Sequence, residues 1–215
     1  MSPCQAERSR NLRRWLFFSC MRVYDRKVLY APLGLFKALV EFNGTSAGNT
    51  DVRSLLQGAS ELVERHVCCL IDRQRLSVPS IAQDAASLGD PLLIELLEKF
   101  TSQGIKVILK DFSLGMPVPT VAAIAWDPIT FPGRSEIVFT AGTASGPVKA
   151  AIRALTEVAQ LAGDFATNAC YEASGLPKFH MPEDFAQLAQ GPEVPLHSLP
   201  SVESEAMLQG LSTLA

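Results

Sequence analysis

Two stretches of this chain carry the same mix of acid, amide and guanidinium at helical spacing. The first holds Gln57, Glu61, Glu64 and Arg65, and the second holds Arg153, Glu157 and Gln160. Three- and four-residue intervals put each set along one side of a helix. Should those sides face each other, the carboxylates converge with amides and with the guanidinium groups of Arg65 and Arg153. Clustered carboxylates repel unless cations sit between them, and hard oxygen ligands suit Mg2+ bridging to phosphate oxygens. Such a cleft would hold ATP without a P-loop, and the chain contains no GxxxxGK[ST] from which to build one. The same spacing also describes two ordinary solvated helix faces, on which Arg153 and Glu157 form a weak i,i+4 pair.

The elements that must position these residues are legible in outline. Residues 46–73 read as one long helix, started by Asn49, Thr50 or Asp51 as its N-cap. Val52, Leu55, Leu56, Ala59, Leu62, Val63, Val67 and Leu70 make an apolar stripe, which places the acceptors on the side away from the core. His66 lies near the centre of the apolar side and is expected in the core. The small residues of 43–49 form a loop that delivers the chain to the helix N-terminus, a reasonable anion site. Upstream, 28–40 read as a strand or loop leading into a short packed segment. A second helix opens at Asp90 and Pro91 and stops at Gly104.

Three strands are predicted at 105–112, 120–126 and 136–143, and the second, apolar on both faces, should be central. A third helix runs over 147–162. The order helix, helix, strand, strand, strand, helix indicates an α+β domain whose helices pack on one face of a mainly antiparallel sheet. Beyond Gly163 the pattern reads as loop, then a proline-rich connector over 181–200, then an amphipathic helix over 201–213.

Composition bounds the function. With 215 residues, 47% apolar and 19% charged, the chain describes one large globular domain, or a domain and a tail. A net charge of −3 with no dominant basic patch argues against nucleic acid held by bulk electrostatics. No stretch approaches the length of a membrane span. Residues 15–21 imitate a signal peptide after several arginines, but the apolar run ends at Arg22 and no small-residue cleavage pattern follows. Cys4, Cys20, Cys68, Cys69 and Cys170 show no CxxC and no even framework, which reads as free thiols in a reducing cytoplasm.

The wording around the two acidic stretches is more specific than their spacing. GNT at 48–50 precedes QGxSExxER at 57–65; LSVP follows at 76–79, DFSLGMPVP at 111–119 and RALTEVAQ at 153–160. In this order the motifs resemble the YcaO family, ATP-dependent enzymes that activate peptide-backbone amides, over residues 28–180. The resemblance implies a partial YcaO-type ATP-binding domain in which Asn49, Glu61, Glu64, Arg65, Arg153, Glu157 and Gln160 match nucleotide and magnesium positions. Gln57 lies beside them, and Glu61, Glu64 and Glu157 are the expected metal contacts. It further implies that a nucleophile adds to a backbone amide and that ATP phosphorylates the resulting oxyanion, so that oxygen leaves as phosphate. Azolines, thioamides or amidines result, and some relatives are accessory to ribosomal-protein methylthiolation. The implied partners are a peptide or protein substrate, a protein supplying substrate or nucleophile, and a second copy of the chain; neither nucleic acid nor membrane is implied.

The chain departs from the family pattern in four places. Arg53 stands where a glutamate is usual, residues 1–45 contain no Sx3E, no histidine occurs in AGTASGPVKAAIR, and the second half of the domain has no counterpart. These departures lead to three expected segments: a poorly ordered non-family leader at 1–27, a partial domain at 28–180, and a connector with a truncated helix at 181–215. The missing parts would then lie in flanking sequence. An ATP- and Mg2+-dependent enzyme acting on a peptide backbone is expected, open to impairment by truncation, the alternative being a non-catalytic remnant that binds a peptide or serves as a partner subunit.

Overall fold

The computed structural model describes residues 16–22, 25–40, 43–129, 131, 137–161 and 191–202. It divides between Ala59 and Ser60, inside a long helix, into two compact units. The first unit begins with strand β1 (Phe17–Met21), paired antiparallel with β2 (Val28–Pro32) so that Phe17 lies opposite Pro32. Residues 17–21 fall inside the stretch expected to be a poorly ordered leader. Exposure alternates along these five residues, as in a half-covered strand. The connecting turn is closed by the Arg22 N–H on the Lys27 carbonyl at 2.9 Å and by an Arg22–Asp25 ion pair. Helix α1 (Leu33–Val40) follows β2, and its Leu33 and Leu35 are exposed where the sequence reading expected a packed segment.

A loop over 43–50 then enters helix α2 (Asp51–Gln74). Of the three candidate caps, Thr50 acts: its Oγ1 accepts the Arg53 N–H at 3.3 Å. The loop folds back on the first turns of the helix, where Ser54 Oγ donates to the Ser46 carbonyl at 3.0 Å. Gly58 permits this approach, because a Cβ there would meet the Gly44 carbonyl oxygen at 2.6 Å.

The second unit contains β3 (Ser80–Ile81), α3 (Ala85–Leu88), α4 (Pro91–Ser102), β4 (Lys106–Asp111), β5 (Thr120–Trp126), β6 (Val138–Thr143), α5 (Pro147–Leu161) and β7 (Glu193–Val194). Asp90 caps α4 through Oδ1 on the Leu93 N–H at 3.0 Å, and Gly104, at φ 78°, ends that segment as expected. The five strands lie in the order β6-β5-β4-β3-β7, with every pairing antiparallel except β3 with β7. β5 is internal and buried from Thr120 to Ala125, which is what its two apolar faces require. The mainly antiparallel α+β class therefore stands.

Helices cover both faces of this sheet rather than one. Alternation along each strand separates two cores. Leu109, Val121, Ala123 and Ala125 meet α4 and α5 on one face, while Ala122 and Ala141 meet Val67 and Ile71 of α2 on the other. The proline-rich connector also contributes: β7 extends the sheet, and Leu196 and Leu199 are buried in the α5-side core. Residues 162–190 and 203–215, with Cys4, Cys170, His180, the loop after Gly163 and most of the final predicted helix, lie outside the described residues.

Candidate functional site

β6 is an edge strand, so alternate residues turn their N–H and C=O away from the sheet. At its last residue both of these groups are taken by side chains from opposite faces. The Thr143 N–H donates to Glu64 Oε2 at 2.9 Å, and the Thr143 carbonyl accepts from Arg153 Nη1 at 3.0 Å. Glu64 comes from α2 and Arg153 from α5, so one peptide joins an acid and a guanidinium that the sequence singled out separately.

Two local features make this junction possible. Gly142 lets α5 lie directly on β6, since a Cβ there would meet the Ala150 carbonyl oxygen at 2.4 Å and the Arg153 Cβ at 2.8 Å. Thr140 Oγ1 fixes the same helix by donating to the Ala154 carbonyl at 2.8 Å. On the other face, α2 presents Ser60, Glu64, Val67 and Ile71 to the sheet, spaced four, three and four residues apart as one buried stripe. The helix is thus turned about a quarter rotation from the apolar stripe inferred from sequence, at 100° per residue. Leu55 and Leu62 are exposed, and so is His66, which the sequence reading placed in the core.

Glu64 is the electrostatic centre. It is only 9% exposed, and its carboxyl is pushed up to about 7, first by burial and next by the charge of Glu157. The Thr143 N–H, Arg65 and Arg153 oppose that rise and do not cancel it. Glu64 Oε1 accepts no hydrogen bond from any described residue. Cys68, one helical turn on, is pushed up to about 12 by burial and by the nearby carboxylates, so it stands as a thiol and not as a thiolate nucleophile.

The structure thus brings Glu64, Arg153 and Glu157 into one electrostatic neighbourhood with Arg65 beside them. Glu61 forms a loose ion pair with Arg65 at 3.9 Å. Gln160 is exposed on α5, beyond Glu157. Asn49 is exposed in the loop before α2 and Gln57 is half-buried on that helix, both within the first unit. Among the described residues no three His, Cys, Asp or Glu side chains converge as a metal-binding group. Glu64 and Glu157 are the two carboxylates whose charges act on each other here. Two still fit Mg2+, which is commonly held by one or two carboxylates with waters and phosphate oxygens completing its octahedron. An acid pushed up to about 7 first by burial and next by a second acid, with one oxygen that no described residue hydrogen-bonds, is a fitting recipient for such an ion.

Sequence reasoning missed Thr143 because it acts through its peptide, which any residue type could supply. It also missed Lys110, fully buried on the α2 side of the sheet, where Nζ donates to Ser80 Oγ at 2.9 Å and burial pushes the ammonium down. An alternating strand gives no warning of either.

The fold and this junction define a class, an α+β domain gathering acid and guanidinium at a sheet edge. The family model described as YcaO cyclodehydratase, ATP- and Mg2+-binding, matches residues 5–212, a wider span than the motif region 28–180. The chain belongs to the YcaO family. An uncharacterized protein of Methanothermobacter thermautotrophicus is 36% identical over 120 residues, 55% of this chain and 30% of its own length. The ribosomal protein S12 methylthiotransferase accessory factor YcaO of Escherichia coli is 32% identical over 107 residues, 50% of this chain and 18% of its own length. The chain therefore spans less than a third of the length of these curated relatives. The structure of YcaO from Methanopyrus kandleri bound with AMPPCP and Mg2+ superposes with a TM-score of 0.65 at 21% identity, covering 92% of this chain and 55% of that one. At that identity the likeness speaks to the fold. Among the described residues no helix is long and apolar enough to cross a membrane.

Proposed function

We propose that this chain binds ATP with Mg2+ at the Glu64–Arg153–Glu157 junction and takes part in activating a peptide-backbone amide. The observation that carries this reading is the shared Thr143 peptide, which aims a buried acid and a guanidinium at one place beside a second acid. Family membership and the nucleotide-bound relative support it. Glu64 and Glu157 would hold the metal, with Glu61 as a third candidate one turn earlier on α2. Arg153 and Arg65 would face phosphate oxygens, where planar guanidinium donors bind well. Asn49, Gln57 and Gln160 are carried as nucleotide contacts on their motif positions alone. When bound, ATP supplies the phosphoryl group that turns an amide oxygen into a leaving group. The substrate is a peptide or protein, and a partner protein supplies substrate or nucleophile. Cyclodehydration, thioamidation and an accessory role in ribosomal-protein methylthiolation are the modifications in view. A reducing cytoplasmic setting is proposed with it, on the free thiols of Cys20, Cys68 and Cys69.

Calorimetric titration of the chain with ATP, with and without Mg2+, tests the reading. Glu64→Ala and Glu157→Ala should each weaken Mg2+-dependent affinity by about tenfold or more, the loss of one charge-assisted contact. Equal affinity in both variants would sink the assignment. A folded chain that binds no nucleotide at all would instead favour a non-catalytic peptide-binding or partner subunit.

A further inference from the structure

We propose that Thr120 and Thr143 are positioning residues: their paired hydroxyls pin the Thr143 peptide on which both Glu64 and Arg153 are aimed. The inference rests on the nucleotide reading above for its functional consequence, and on geometry alone for the pinning. The last backbone bond of the β5–β6 ladder, from the Ala144 N–H to the Pro119 carbonyl, is 3.4 Å long and therefore weak. Backbone pairing thus leaves the end of β6 poorly fixed. One residue earlier, Thr143 Oγ1 and Thr120 Oγ1 lie 2.8 Å apart, and both residues are fully buried. Thr120 is in turn held at both backbone groups, its N–H on Ser113 Oγ at 3.2 Å and its carbonyl by the Phe112 N–H at 2.9 Å. The turn carrying Ser113 is closed by the Met116 N–H on the Ser113 carbonyl at 2.9 Å. A connected polar path therefore runs from that turn through Thr120 and Thr143 to Glu64 and Arg153. A valine pair would fill the same space and leave the strand end to its long ladder bond.

The variants are Thr120→Val, Thr143→Val and Thr143→Ser, each checked for a cooperative melt. The first readout is hydrogen exchange at the Thr143 amide. Thr120→Val should lower its protection by about tenfold, the loss of one buried hydrogen bond, while the Ala123 amide keeps its own. Unchanged protection at Thr143 overturns the pinning, whether or not the chain binds nucleotide. The second readout is the affinity for ATP with Mg2+. Thr143→Val should weaken it by about tenfold and Thr143→Ser should restore most of it. In a Glu64→Gln background, Thr143→Val should weaken it less than in the unmodified chain, because only Arg153 then remains for the residue to position. Equal losses in both backgrounds overturn the positioning role. Should the unmodified chain bind no ATP, the nucleotide reading fails by itself and hydrogen exchange alone decides the pinning.

Discussion

The two faces of the sheet are built from helices of similar amphipathic appearance and do opposite things with them. α5 lays Ala150, Ala151, Ala154, Leu155 and Val158 against β5 and β6, an apolar stripe whose charged residues stay at its margin. α2 buries Val67 and Ile71, but the same stripe contains Ser60 and Glu64, while Leu62 points to solvent at 51% exposure. On the first face burial of apolar area dominates, with the Thr140 hydroxyl on the Ala154 carbonyl beside it. On the second, apolar surface is left in water and an acid is desolvated, a combination that packing alone disfavours. A fold tolerates such an arrangement where the buried polar group does something else, and here it meets Arg153 at the Thr143 peptide.

The sharpest way to break the comparison is at Gly142, where the apolar face is tightest. Gly142→Val would drive a side chain into backbone atoms of α5, the Ala150 carbonyl oxygen at 2.4 Å and the Ala154 nitrogen at 2.8 Å from a Cβ. A loss of about 3 kcal/mol or more is expected in urea denaturation, with Arg153 carried away from Thr143. A small loss would mean that α5 is free to shift on β6.

Next in size is the acid on the other face. Glu64 is pushed up to about 7 in the folded chain against an ordinary 4.5, so the folded state keeps its proton where the unfolded state has lost it. Stability should then fall as pH rises from the ordinary carboxylate range to about 7, by at most about 3 kcal/mol, and stay level above that. Glu64→Gln retains an oxygen for the Thr143 N–H and removes the titration. It should be the more stable protein at pH 8 and lose this slope, as thermal melts across pH would read. An unchanged slope would place the pH dependence elsewhere.

What the chain showed in advance follows the same division. The α5 face was legible because Ala151, Leu155 and Val158 repeat at helical spacing and nothing competes with them for the core. Asp90, Pro91 and Gly104 bracketed α4 because caps are local chemistry. β5 was legible from its unbroken apolar run. The rotation of α2 was not, since Leu55, Leu62, Val63 and Val67 offer a plausible stripe that only tertiary contact with the β6 edge overrides. β3 and β7 are two residues each, too short for periodicity to register. The motif residues were legible one by one through the family resemblance. Their meeting point was not, because Thr143 contributes a peptide and the threonine pair spans residues far apart in sequence.

The rotation of α2 can be tested by itself, with the smallest changes. If Glu64 and Val67 face the sheet, Val67, fully buried, should be sensitive, and Leu62 should not, although both are apolar and lie five residues apart on one helix. Val67→Ala removes two methyl groups from a filled site beside Ile71 and Phe112, and should lower stability by about 2 kcal/mol through lost burial and the cavity left behind. Leu62→Gln alters a side chain already half in water and should stay within about 0.5 kcal/mol. The apolar stripe drawn from sequence places both residues in the core and predicts comparable losses. Equal sensitivity would therefore restore that orientation, turn Glu64 back toward solvent, and remove the acid from the Thr143 peptide on which the proposed site depends.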